Sequence, residues 1–266
     1  MRFRRIVSTA LTAIAACVFV QIAWTPACAQ TKRSAAPAAG QRTAFTDKEI
    51  IDGFLKIAFG AELRVGGATD RIRKYVGPVR VYIDSRARPD RRAQVAAVIA
   101  DIRARVQHLD IAVTTERGRT NVEAILVRDR DLIPTIAAIY GSERARQIER
   151  SLQPQCLSSL AKDELFRIIR SRVILVVDAG QSVFLDCAYE EILQSLGLTN
   201  DTDIPWTMFN DDVRMGFFGI YDQFIVNILY HPNIRPGMTA AEVVAQMPQV
   251  LPAVRAWVAK VNGLGE

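Results

Sequence analysis

The run Cys187-Ala188-Tyr189-Glu190-Glu191-Ile192-Leu193-Gln194-Ser195-Leu196-Gly197-Leu198-Thr199-Asn200, with Trp206-Thr207-Met208-Phe209-Asn210 close behind it, is the stretch around which the rest of the chain is arranged. At about 100° per residue, Cys187, Glu190, Glu191 and Gln194 fall on one stripe of a helix, and Leu185, Ala188, Ile192, Leu193 and Leu196 on the other. One face is polar and the other is built for a core. Gly197 is placed to end the helix, because glycine takes a positive φ at no steric cost.

Written by spacing, the run is Glu190-Glu191-x-x-Gln194-x-x-Gly197-x-x-Asn200, with Met208 following. That spacing resembles the metzincin zinc proteases, whose H-E-x-x-H-x-x-G-x-x-H helix holds zinc through histidines, uses the intervening glutamate as general base and is followed by a methionine turn. The resemblance implies an α+β, zincin-like fold: a small mixed sheet packed on helices, a central active-site-type helix and a helical C-terminal part. It also implies a general-base role for Glu191 in any active form. All three ligand positions depart from the pattern, since Glu190, Gln194 and Asn200 offer one carboxylate and two amides in place of imidazoles. Good Cys and His ligands contribute on the order of 10 kcal/mol or more to a structural zinc site, and amides forfeit most of that. No bound metal and no cofactor are therefore expected. Glu190, Gln194, Asn200 and Met208 read as the lining of a binding cleft rather than a zinc centre.

Two other readings stay open. Glu190, Gln194 and Asn200, with Asp201 or Asp203, offer oxygen atoms to a hard cation, and Glu191 would then serve a metal-dependent hydrolase or peptidase. Alternatively the polar stripe is a solvated face in a purely structural envelope protein.

A closer resemblance covers most of the chain after its first segment. It rests on C-x-x-E-E-x-x-Q-x-L-G-L-x-N-D from Cys187 to Asp201, then Phe209-Asn210-Asp211-Asp212, Tyr221-Asp222, Leu229-Tyr230-His231-Pro232 and Pro236-Gly237-Met238. These motifs resemble a secreted proteobacterial domain of unknown function, number 2927, which has no activity to lend.

Residues 1–29 read as a secretory signal: Arg2, Arg4 and Arg5 ahead of an apolar stretch over 6–23, and Ala27-Cys28-Ala29 as a small-residue cleavage site. The expected location is periplasmic or secreted, with membrane contact only if that segment is retained. Its removal lowers the formal net charge from +6 to +3, which is no nucleic-acid signature. Arg86, Arg88, Arg91, Arg92, Arg103 and Arg105 read as a solvated helix face. A protein or peptide in the cell envelope is the expected partner. Cys156 and Cys187 are the cysteines left in an oxidising space, and a disulfide between them is expected.

Residues 30–44 read as a flexible linker and 45–266 as one domain of ordinary globular composition. Thr46 and Glu49 predict a capping box and a helix ending near Gly60. A strand is predicted over 77–84, a helix over 89–108 with Val95, Val98, Ile99, Ile102 and Val106 buried, and strands over 111–115 and 122–128. Helices are predicted over 132–152, broken at Gly141 with Ser142 as the second cap, and over 158–170. A buried strand over 172–177 then delivers the chain into the central helix. Further helices are predicted over 217–230 and 248–261, with another capping box at Thr239 and Glu242. Asp222 reads as a local hydrogen-bond partner and His231 as a capping or packing residue.

Overall fold

A computed structural model describes residues 42–60, 70–85, 87–152 and 155–265. The predicted signal segment and most of the predicted linker lie outside them. In chain order the elements are α1 (Asp47–Ala58), β1 (Val79–Ser85), α2 (Arg92–Arg105), β2 (Ile111–Val113), a short 3-10 turn at Arg117–Arg119, β3 (Val122–Val127), α3 (Asp129–Tyr140), α4 (Ser142–Leu152), β4 (Cys156–Lys162), β5 (Ile168–Val176), α5 (Gln181–Ser195), α6 (Ile220–Tyr230) and α7 (Ala240–Asn262). Among them no helix is long and apolar enough to cross a membrane.

The strands form one sheet in the order β2-β1-β3-β5-β4. The first four are parallel, and β4 runs antiparallel along β5. Parallel strands are covered on both faces, so they read as continuous apolar runs rather than alternations. β5 obeys this: Val173 and Leu175, with Val177 just beyond the strand, enter the main core, while Ile174 and Val176 join a second cluster with Leu132, Ile136 and Ile148 from α3 and α4. The main core draws Val95, Val98, Ile99 and Ile102 from α2, packs α5 against β4 and β5, and extends through α6 and α7, which pack on each other and on α1.

Both capping boxes form. The Thr46 hydroxyl accepts from the Glu49 N–H while Glu49 accepts from Thr46, and Thr239 and Glu242 do the same. Three readings need correction. The helix predicted over 158–170 is instead β4, a turn and the start of β5. Its Leu, Ala and Lys residues favour a helix locally, but pairing along β5 overrides that preference. Asp163 makes the reversal, its carboxylate accepting from the N–H groups of Leu165 and Arg167. The predicted helix over 248–261 begins at Ala240 and carries Pro248 and Pro252 inside it. Burial of Val243, Met247, Val250, Leu251, Val254 and Val258 along one side holds it through those two missing donors. Ser142 is the first residue of α4, and Gly141, at φ 90°, supplies the carbonyl that accepts from Ala145.

Candidate functional site

α5 is anchored at its middle and just past its end by contacts its sequence encodes. Midway along it, Cys187 is disulfide-bonded to Cys156, the first residue of β4, with Cα atoms 5.9 Å apart. At its end, Gly197 has φ 121°, and a Cβ there would lie 2.0 Å from the Arg73 carbonyl oxygen. No residue with a side chain fits both the conformation and the space.

The polar stripe of α5 is not solvated, which corrects the reading of it as a surface face: Glu191 is 6% exposed and Gln194 5%. Gln194 is a strut. Its Oε1 accepts from the Ser158 hydroxyl of β4 at 2.9 Å, and its Nε2 donates to Asp201 at 3.2 Å. The helix is thereby fixed to the edge strand on one side and to the following loop on the other.

Glu190 stands beside a concentration of negative charge. It, Asp201 and Asp211 each place one carboxylate oxygen within 4.8 Å of the other two. Glu191 and Asp186 also act on it, and burial together with these four carboxylates pushes the Glu190 carboxyl far above the usual range. Asp186 is held up by burial, although it accepts from the Met215 and Gly216 N–H groups at 2.8 and 3.1 Å and feels Arg214. Carboxyls displaced in this way among like charges cluster at functional positions, although structural charge networks displace them too.

The other residues at motif spacing go elsewhere. Asn200 turns toward α1, its Nδ2 donating to the Lys56 carbonyl at 3.0 Å and to the Asp201 carbonyl at 2.9 Å. Asp203 pairs with Lys56 at 3.1 Å. Met208 is buried, and its N–H and the Thr207 hydroxyl both donate to Asp222 Oδ1, at 3.3 and 2.5 Å. Asp222 is fully buried, its Oδ2 lacks a hydrogen-bond partner, and burial pushes its carboxyl up to about 7. It is the local organiser of the methionine-bearing turn, as its sequence context suggests. His231 ends α6, donating its N–H to the Ile228 carbonyl.

Zinc, which the resemblance to metzincins implies, does not fit these residues. Of the three ligand-spaced side chains, Glu190 alone offers the cluster a carboxylate; both ends of the Gln194 amide are engaged, one of them on Asp201 itself, and the Asn200 amide donates to backbone of α1 and its own loop. Asp211 and Asp186 are the site residues that spacing did not mark. Asp211 comes from a loop whose return to α5 no periodicity announces, while Asp186 lies one turn ahead of Glu190 and was legible as an acid on the same helix.

The chain is therefore an α+β protein with a mostly parallel five-stranded sheet and a buried acidic helix beside its antiparallel edge strand. Residues 47–249 match the family described as "Protein of unknown function (DUF2927)", and the chain belongs to that family. No curated protein and no solved structure matches it.

Proposed function

We propose that this protein is an exported, metzincin-like scaffold that binds a partner in the cell envelope and does not hydrolyse it through zinc. The observation that carries the reading is the fate of the ligand-spaced residues: Gln194 and Asn200 serve as structural ties, leaving Glu190 as one carboxylate among several. The partner we infer is an extended polypeptide segment. β4 pairs with β5 alone, so its outer edge has no strand partner among the described residues, and such an edge can accept an added strand. The Cys156–Cys187 disulfide and the Ser158–Gln194 hydrogen bond hold that edge against α5, so a segment laid along it would pass the acidic cluster. The disulfide also supports an oxidising compartment. A photo-crosslinking amino acid at Ala161, exposed on β4, should capture a discrete envelope protein in living cells, while the same group at Arg130 on α3 should not. Absence of an adduct at Ala161, or the same adducts from both positions, would overturn the reading.

A second reading is favoured by the carboxylate geometry. Glu190, Asp201 and Asp211 supply three oxygen donors of the kind that calcium or magnesium takes, out of the six or so that either needs. Such a cation would draw the Glu190 carboxyl into its charged form, and the neighbouring Glu191 would then be the candidate for the base. A thermal shift with calcium, magnesium or manganese that disappears in Glu190→Gln and Asp211→Asn would support this reading, and indifference to all three cations removes it.

A further inference from the structure

Where the segment leading into β1 meets the end of α6, a cavity of about 440 Å³ is lined by Lys74, Tyr75, His108, Asp110, Tyr230 and Arg235 together with several prolines. Its volume lies in the range of small-molecule pockets. Lys74 forms its wall in an unusual state. The side chain is buried, and its ammonium donates to the carbonyls of Leu229 at 2.7 Å, Ile234 at 2.8 Å and His231 at 3.4 Å, with the Tyr230 ring 5.2 Å below. These are carbonyl dipoles at a helix end, not a carboxylate. Buried charges are ordinarily paired with an opposite charge, and no described carboxylate pairs with this one; burial accordingly pushes Lys74 down to about 8.

The acid in the lining does not supply the missing charge. Asp110 is held by Arg80 through two hydrogen bonds, at 3.1 and 2.8 Å, which keep its carboxyl below the usual range. Arg235 adds a cation, exposed at the rim, and His108 in the lining stands with its ring centroid 6.1 Å from that of His231, the chain's other histidine, which is outside the lining. We propose that this cavity binds a small organic carboxylate with an apolar body, its charge set against Arg235 and His108 in the field of Lys74 and its body against Tyr75, Tyr230 and the prolines.

Binding should then be linked to protons. Burial, His108 and Lys74 hold His231 below its ordinary value, so it is neutral near pH 7. The phenols of Tyr75 and Tyr230 are pushed upward by burial and stay neutral, and Asp110 stays charged on Arg80. His231 is outside the lining but its ring stands 6.1 Å from that of His108, so an anion held at His108 raises the His231 value and affinity rises as pH falls through it, by about tenfold for each unit that the bound anion moves that value. Proton NMR of the full chain can follow both imidazoles while benzoate is added, with benzamide as the uncharged control. We expect benzoate to shift the imidazole signals saturably, to bind more tightly at about pH 5.5 than at about pH 7.5, and to bind several-fold more weakly to Arg235→Ala and to His108→Asn, the latter preserving a residue tolerant of the positive φ at 108. Imidazole signals that ignore benzoate, benzamide binding as well as benzoate, or unchanged affinity in both variants would overturn the proposal.

Discussion

At the level of single residues, two glycines with the same backbone handedness carry different burdens. Gly197 has φ 121° and the Arg73 carbonyl against its α-carbon, whereas Gly263, after α7, has φ 61° and open space around it. Gly197→Ala should cost about 3 kcal/mol or more, from strain plus displaced backbone, and Gly263→Ala only about 1 kcal/mol; urea unfolding of the two variants gives the comparison. Asp222 yields a prediction about pH. Its folded-state value, about 7, lies above the ordinary 3.8, so the folded chain binds the extra proton. Its contribution is full below about pH 4 and is lost as pH rises to about 7, a slope of about 1.4 kcal/mol per pH unit. Asp222→Asn should remove that slope, so that its stability relative to the parent protein climbs with pH across the window. Parallel curves for the two proteins would show that Asp222 is charged when folded. The glycine was readable from sequence as a helix stop, but the approach of Arg73 was not, because it depends on a contact between residues 124 positions apart in the chain.

At the level of elements, the edge strand is the informative case. The capping boxes at Thr46 and Thr239 were legible because each is a local hydrogen-bonded unit that needs no tertiary partner. β4 was not, since Cys156–Lys162 becomes a strand only through pairing with β5 and attachment to α5. For the same reason β4 should be the element most sensitive to its tethers. Replacing Cys156 and Cys187 by serine opens a loop spanning 31 positions and should lower stability by about 3 to 4 kcal/mol. Amide exchange should accelerate along β4 more than along β1 or β3. Uniform acceleration across the sheet would mean that the disulfide stabilises the fold without specifically holding the edge. Gln194→Leu should loosen β4 in the same direction by a smaller amount, because it leaves the Ser158 hydroxyl and Asp201 without that partner.

At the level of the whole molecule, the parallel order β2-β1-β3-β5 with α2 on one face and α3 and α4 on the other turns a helix with a familiar spacing into a buried acidic element. The sequence pattern marked Glu190, the disulfide at Cys187 and the helix stop at Gly197. It could not show that Gln194 and Asn200 spend their amides on β4 and α1, or that Asp211 returns to Glu190, since both follow from how the loop after α5 closes over the core. The central claim is that this helix has the spacing of a zinc site and none of its chemistry. It is tested most directly by the metal content of the protein purified from its host without chelators or affinity-tag histidines. The account predicts no stoichiometric zinc and no thermal stabilisation by added zinc; one zinc per chain, lost in Glu190→Gln, would contradict it.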